Sequence, residues 1–133
     1  MRAFICVDDD LGRLFGSRRQ SRDGTLCADM IITVGDGLLY IEKYSEPLFS
    51  DFAEKVCVCA EPPKDDSYFF FEKTDPEIYG RFVSEWTIYR WNRLYPSDEK
   101  FSEELLRSFR LTATEEFVGS SHEKITKEVY VRE

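Results

Sequence analysis

Phe109-Arg110-Leu111-Thr112-Ala113-Thr114-Glu115-Glu116-Phe117 is the stretch on which the fold turns. It is followed by a turn-rich Gly119-Ser120-Ser121-His122 and by Ile125–Arg132, where Val129-Tyr130-Val131 resumes as strand. Two strand-like runs joined by a short polar link read as a long antiparallel pair that closes a sheet. At the other end, Arg2-Ala3-Phe4-Ile5-Cys6-Val7 is apolar on both faces and is followed by acid. That pattern suits an interior strand covered by helices on each side.

Between these ends, strand and helix signals alternate. Asp8–Gly24 is polar and glycine-punctuated, which reads as a long loop of the length that often carries function. Thr25–Val34 reads as a short helix with Thr25 as N-cap and Gly35 as its stop. Leu38–Tyr44 and Lys55–Ala60 read as strands, the latter buried on both faces, with a helical turn at Glu46–Ala53 between them. Ser67–Phe71 is a further strand. Thr74-Asp75-Pro76 starts a helix, with an acidic cap followed by proline at the first helical position. Glu77–Glu85 would place Ile78, Phe82 and Trp86 on one face at helical spacing. Trp86–Trp91 is strand-like and Ser97–Arg107 partly helical. Alternating elements followed by an antiparallel pair predict an α/β fold, a three-layer mixed β-sheet with flanking helices.

A chain of 133 residues is expected to form one domain, residues 1–133, burying about two-thirds of its unfolded surface. Aromatic residues make up 15%, so each buried side chain contributes a large apolar area, with room for a dimer but no requirement for one. A net charge of −8 argues against a nucleic-acid or anionic-membrane partner, and no run approaches the length of a membrane span. Ala3–Val7 is too short for the apolar core of a signal peptide, and three aspartates follow at once. The four cysteines, Cys6, Cys27, Cys57 and Cys59, lie in apolar runs and read as reduced core thiols of a cytoplasmic protein. A single histidine leaves no set of ligands for a multi-histidine metal site.

The order of these parts resembles the dihydrofolate reductases. Met1–Asp8 is similar to that fold's first strand, Ala28-Asp29-Met30 to its acid-bearing helix, and Ile88-Tyr89-Arg90 with Ser97–Phe101 to its penultimate unit. Phe109–Phe117 with Val129–Val131 is similar to its closing pair. The resemblance implies a shortened dihydrofolate reductase fold with a contracted centre at Glu61–Phe71, and it implies NADPH and a pterin only if the site is kept. Three departures bear on that. The strand–helix junction that holds the cofactor pyrophosphate with paired glycines reads Phe71-Glu72-Lys73-Thr74-Asp75-Pro76, where Asp75 caps the helix and Pro76 lacks a donor. The arginine for the ribose phosphate is replaced by Lys43, a point charge instead of a bidentate fork. Ala53-Glu54-Lys55 stands where an arginine would clamp the folate tail.

The residues that carry ligand chemistry are then Arg18, Arg19, Gln20 and Arg22, a run of guanidiniums and amide suited to carboxylate or phosphate. On an extended loop Arg18, Gln20 and Arg22 would converge; the alternative is a solvated loop paired locally with Asp8, Asp9, Asp10 and Asp23. Asp29 interrupts an apolar run and reads either as an acid facing a ligand ring edge or as an ordinary surface carboxylate. Tyr89-Arg90-Trp91-Asn92-Arg93 offers stacking surface to a protein or RNA partner, or is a strand with aromatics inward. His122 reads as a surface turn residue. The expectation is a small anionic or nucleotide-like ligand held beneath the Arg18–Asp23 loop without reductase activity or a cofactor. An NADPH-dependent pterin reductase and an interaction module are the alternatives.

Overall fold

The computed structural model describes residues Met1–Glu133. Its central strand is β1, Arg2–Val7. The alternation of this strand divides the core: Phe4 joins Leu26, Met30, Phe49, Tyr89 and Trp91 on one face. Ala3, Ile5 and Val7 join Phe69, Phe71, Trp86 and Phe101 on the other. With both faces buried, β1 has parallel neighbours on each side, as the continuous apolar run requires.

A chain segment crosses between most pairs of parallel strands. From β1 the chain forms a small hairpin, β2 (Gly12–Phe15) and β3 (Arg18–Arg19), then helix α1 (Gly24–Val34) and strand β4 (Leu39–Ile41). A kinked 3₁₀ segment over Lys43–Lys55 leads to β5 (Val56–Val58), and β6 is Tyr68–Phe70. The short helix α2 (Pro76–Tyr79) precedes β7 (Glu85–Arg90). A two-residue strand β8 (Glu99–Lys100) and a 3₁₀ turn at Glu103–Leu106 lead to β9 (Phe109–Phe117) and β10 (Ile125–Arg132). The main sheet runs β5-β4-β6-β1-β7-β10-β9, parallel up to β7 and antiparallel thereafter. A second sheet, β3-β2-β8, sits beside it. This is the mixed three-layer sheet with flanking helices, and the closing pair spans the residues read from the sequence.

Several local expectations are corrected. The Asp8–Gly24 stretch contains the β2–β3 hairpin, held from outside by β8, a pairing that no local pattern encodes. The N-cap of α1 is Asp23, two residues before Thr25: its carboxylate accepts from the N–H groups of Thr25 (3.0 Å) and Leu26 (3.1 Å). Gly35 ends the helix at φ 71°, a conformation that glycine adopts without strain. Helix α2 stops at Tyr79; Ile78 is exposed, and Trp86 lies in β7 and is fully buried. Strand β5 is the sheet edge, so it is half-buried at Val56 and Cys57 and exposed at Val58. Cys6, Cys57 and Cys59 are half-buried, and only Cys27 is a core thiol; all four are free. No helix is long and apolar enough to cross a membrane.

Candidate functional site

The crevice beneath the β2–β3 hairpin lies between the start of α1 and the carboxyl ends of β1, β6 and β7, where open α/β sheets bind ligands. Arg13, Arg19, Arg22, Asp23, Glu72 and Trp91 line it, with Gln20 and Ser21 on the hairpin side. Its free volume is about 20 Å³, room for a water or two, inside a wider depression of about 420 Å³ that opens to solvent.

Three guanidiniums meet here in three different states. Arg19 is committed: Nε and Nη2 donate to the two oxygens of Glu72, each at 2.8 Å, and its plane lies 4.2 Å from the centre of the Tyr44 ring. Burial alone would lower its pKa, but the bonds and charge of Glu72 raise it. Glu72 is itself buried and also accepts from Ser45 Oγ at 2.8 Å, so the pair is closed on itself. Arg13 is only partly committed. Its side chain is 5% exposed, Nη1 donates to the Glu72 carbonyl at 2.9 Å and Nη2 reaches Glu99 at 3.3 Å, while Nε has no partner. Arg22 is exposed at the rim and enters no ion pair.

The floor of the crevice is fixed by Asp23. This carboxylate is fully buried and accepts from the N–H groups of Thr25, Leu26, Ser120 and Ser121, from both serine hydroxyls, and from His122 Nδ1 at 3.0 Å. Burial would raise its pKa; the donors from Ser121, His122, Ser120 and Leu26 outweigh that and hold it well below the ordinary carboxylate range. Because an ionised carboxylate only accepts, Nδ1 of His122 carries a proton toward it, and in the neutral ring Nε2 is then an acceptor. Nε2 faces Tyr95 OH at 2.9 Å and Ser21 Oγ at 3.1 Å. The ring stacks on Trp91 with centroids 4.5 Å apart. His122 is therefore buried, not a surface residue. Gly119 makes the wrapping possible: a Cβ there would stand 2.3 Å from an Asp23 oxygen.

The residues singled out from the sequence divide. Arg19, Gln20 and Arg22 line the crevice; Arg18 is exposed and does not. From Arg19 to Asp23 every residue reaches the crevice, so the strand alternation expected to converge Arg18, Gln20 and Arg22 does not hold. Gln20 Nε2 donates to Asp8 at 2.9 Å. Asp29 is directed elsewhere, pairing with Lys127 at 2.9 Å and accepting from Tyr89 OH at 2.7 Å. Lys43 is exposed at the start of the 3₁₀ segment. Tyr89 and Trp91 are buried and Arg90 is paired with Glu128, so this strand presents no stacking surface. Sequence reasoning misses Arg13 and Glu72, and it reads Asp23 only as a local ion-pair partner and His122 as a surface residue; an acid before Gly24 and an apolar run is the one local sign, marking Asp23 as a cap.

The β6–α2 junction is filled from within. Glu42 accepts from three successive backbone N–H groups, Glu72 (2.7 Å), Lys73 (2.9 Å) and Thr74 (3.0 Å), while Asp75 takes Glu77 N–H at 2.9 Å. Backbone donors that would receive a phosphate already hold a carboxylate, so these residues do not fit a pyrophosphate. No group of three or more histidines, cysteines or acids is placed to hold a metal ion.

Replacing Gly119 with Ala should cost about 1–3 kcal/mol in urea unfolding, because Asp23 or the turn must move. Asp23 also sets an acid dependence. Its folded pKa lies below the unfolded value of about 3.9, so its stabilisation is complete above that pH and is lost as pH falls below it. Asp23→Asn should be less stable at neutral pH and lose less stability on going from pH 4 to pH 2. Glu42→Ala should cost roughly 1–2 kcal/mol by removing three hydrogen bonds at once, two of them to part-buried N–H groups.

No family profile matches the sequence, and no curated protein matches it. Among solved structures, a dihydrofolate reductase from Enterococcus faecalis, determined with NADP(H) and RAB-propyl, is similar with a TM-score of 0.65. The match covers 98% of this chain and 95% of that one, at 9% identity. The chain thus has the dihydrofolate reductase-like fold.

Proposed function

We propose that this chain binds a small anionic or nucleotide-like ligand in the crevice beneath the β2–β3 hairpin, without reductase chemistry. The observation that carries the reading is the buried guanidinium of Arg13, whose Nε lacks a partner, next to the unpaired Arg22 at the mouth. A buried, unmet donor on a cation costs free energy that an anionic oxygen would recover. Arg22 adds a planar fork suited to carboxylate or phosphate. Arg19 and Glu72 neutralise one another and serve as the wall. Crevice size sets the ligand's shape: the narrow part takes a single anionic group, and a ring or sugar would rest in the outer depression.

The same geometry weighs against a pyridine-nucleotide reductase, since Glu42 takes the backbone donors at β6–α2 and Asp29 is held by Lys127 and Tyr89. An interaction module built on Tyr89–Arg93 is weighed down by the burial of both aromatics. Four free thiols support a reducing, cytoplasmic setting.

Thermal-shift titration with phosphate, pyrophosphate, AMP, small dicarboxylates, NADPH and dihydrofolate tests the reading. A ligand at 100 times its Kd stabilises by about 2.7 kcal/mol, a rise of several degrees in Tm. The expected result is a rise with a small anion or mononucleotide, none with NADPH or dihydrofolate, and at least a tenfold weaker affinity in Arg22→Ala at unchanged basal Tm. A saturable rise with NADPH, or anion binding indifferent to both Arg22→Ala and Arg13→Leu, would overturn it.

A further inference from the structure

The crevice wall carries a second feature, of which anion binding uses only Arg13. Ser21 Oγ lies 3.1 Å from His122 Nε2, and His122 Nδ1 lies 3.0 Å from a buried Asp23 oxygen. The chain order Ser21, Asp23, His122 brings a hydroxyl, an imidazole and an orienting carboxylate into line, across a loop and a turn that are far apart in sequence. Asp23 holds the tautomer in which Nε2 is free to take a proton, and the Trp91 stack fixes the ring plane. Ser21 is half-exposed and lines the crevice, as does Arg13, whose buried Nε–H has no partner. Nucleophile, orienting acid and an arginine donor thus line one cavity, with the base His122 buried directly behind Ser21, the juxtaposition an acyl-transfer site requires.

From this geometry we infer that Ser21 is the nucleophile of an esterase-type site, with His122 as its base, Asp23 as positioning residue and Arg13 as donor to the oxyanion. The inference goes beyond the binding reading and does not depend on its ligand. As Ser21 Oγ bonds to the carbonyl carbon of a small-acyl ester, its proton passes to His122 Nε2. The resulting oxyanion accepts from a donor of the crevice. The bond to the leaving alcohol then breaks, and the alcohol takes the proton from Nε2. Water, deprotonated by the same imidazole, attacks the acyl-serine, and the carboxylic acid leaves with serine restored. The small size of the crevice favours a short acyl chain, seated in the outer depression. Tyr95 OH, 2.9 Å from Nε2 and 3.4 Å from Ser21 Oγ, is a rival donor to the same lone pair.

The full chain should be treated with a fluorophosphonate probe, the labelled residue mapped by mass spectrometry, and p-nitrophenyl acetate hydrolysis followed alongside. The expected result is a single adduct on Ser21, with labelling and hydrolysis lost about 100-fold or more in Ser21→Ala and in His122→Gln. Tyr95→Phe guards against the case in which the His122 variant unfolds: removal of the rival donor should leave the labelling rate equal or faster. No adduct, an adduct on Tyr95 or another residue, or a folded Tyr95→Phe protein that no longer labels would overturn the inference. Phosphate titration of the same protein is read apart from labelling, so a chain that binds phosphate and does not label overturns this inference alone.

Discussion

An ionised carboxylate sealed inside a protein is stable only if donors surround it, and Asp23 shows how much structure one such group can organise. Its oxygens cap α1, close the turn at Gly119–His122 and orient an imidazole, so the helix and the β9–β10 connection are tied at one point. Remove those donors and the desolvation cost of the charge is uncompensated. The position of the crevice follows from this tie. Its floor is the start of α1, and its far wall is Trp91, stacked on the imidazole that the same carboxylate holds in place.

Two further carboxylates are drawn inward for a different purpose. Glu72 neutralises Arg19, and Glu42 fills the backbone donors between β6 and α2. Together they convert what this topology offers as ligand-binding groups into internal contacts. Arg13 and Arg22 are left over. A chain of net charge −8 thus carries one small cavity lined by three guanidiniums, where short-range hydrogen bonding outweighs the long-range field.

Much of the architecture was legible because it rests on local pattern. The double-sided apolar run of β1, the Asp75-Pro76 helix start and the extents of β9 and β10 are set by period and capping chemistry within a few residues. The basic hairpin was legible as chemistry but not as geometry. Which of Arg18 and Arg19 turns inward is settled by the pair of Arg19 with Glu72, a partner 53 residues away. Asp29 was read from its apolar neighbours, yet its partner is Lys127 on another strand. Arg13, Glu72 and His122 acquire their roles only through contacts between remote segments. A lone histidine beside two serines in a turn carries no sign that an aspartate on a helix cap will bury it.

The placement of β1 has a kinetic meaning. Arg2 pairs with Tyr68 on one side and Glu85 on the other, so β1 waits for neighbours made more than sixty residues after it. Its apolar faces, Phe4 on one and Ile5 on the other, stay uncovered over that interval. Non-local pairing of this kind slows assembly and leaves sticky edges in partly made chains. The Asp8-Asp9-Asp10 run directly after β1 places like charges at the end of that strand, where they oppose association of one nascent chain with another.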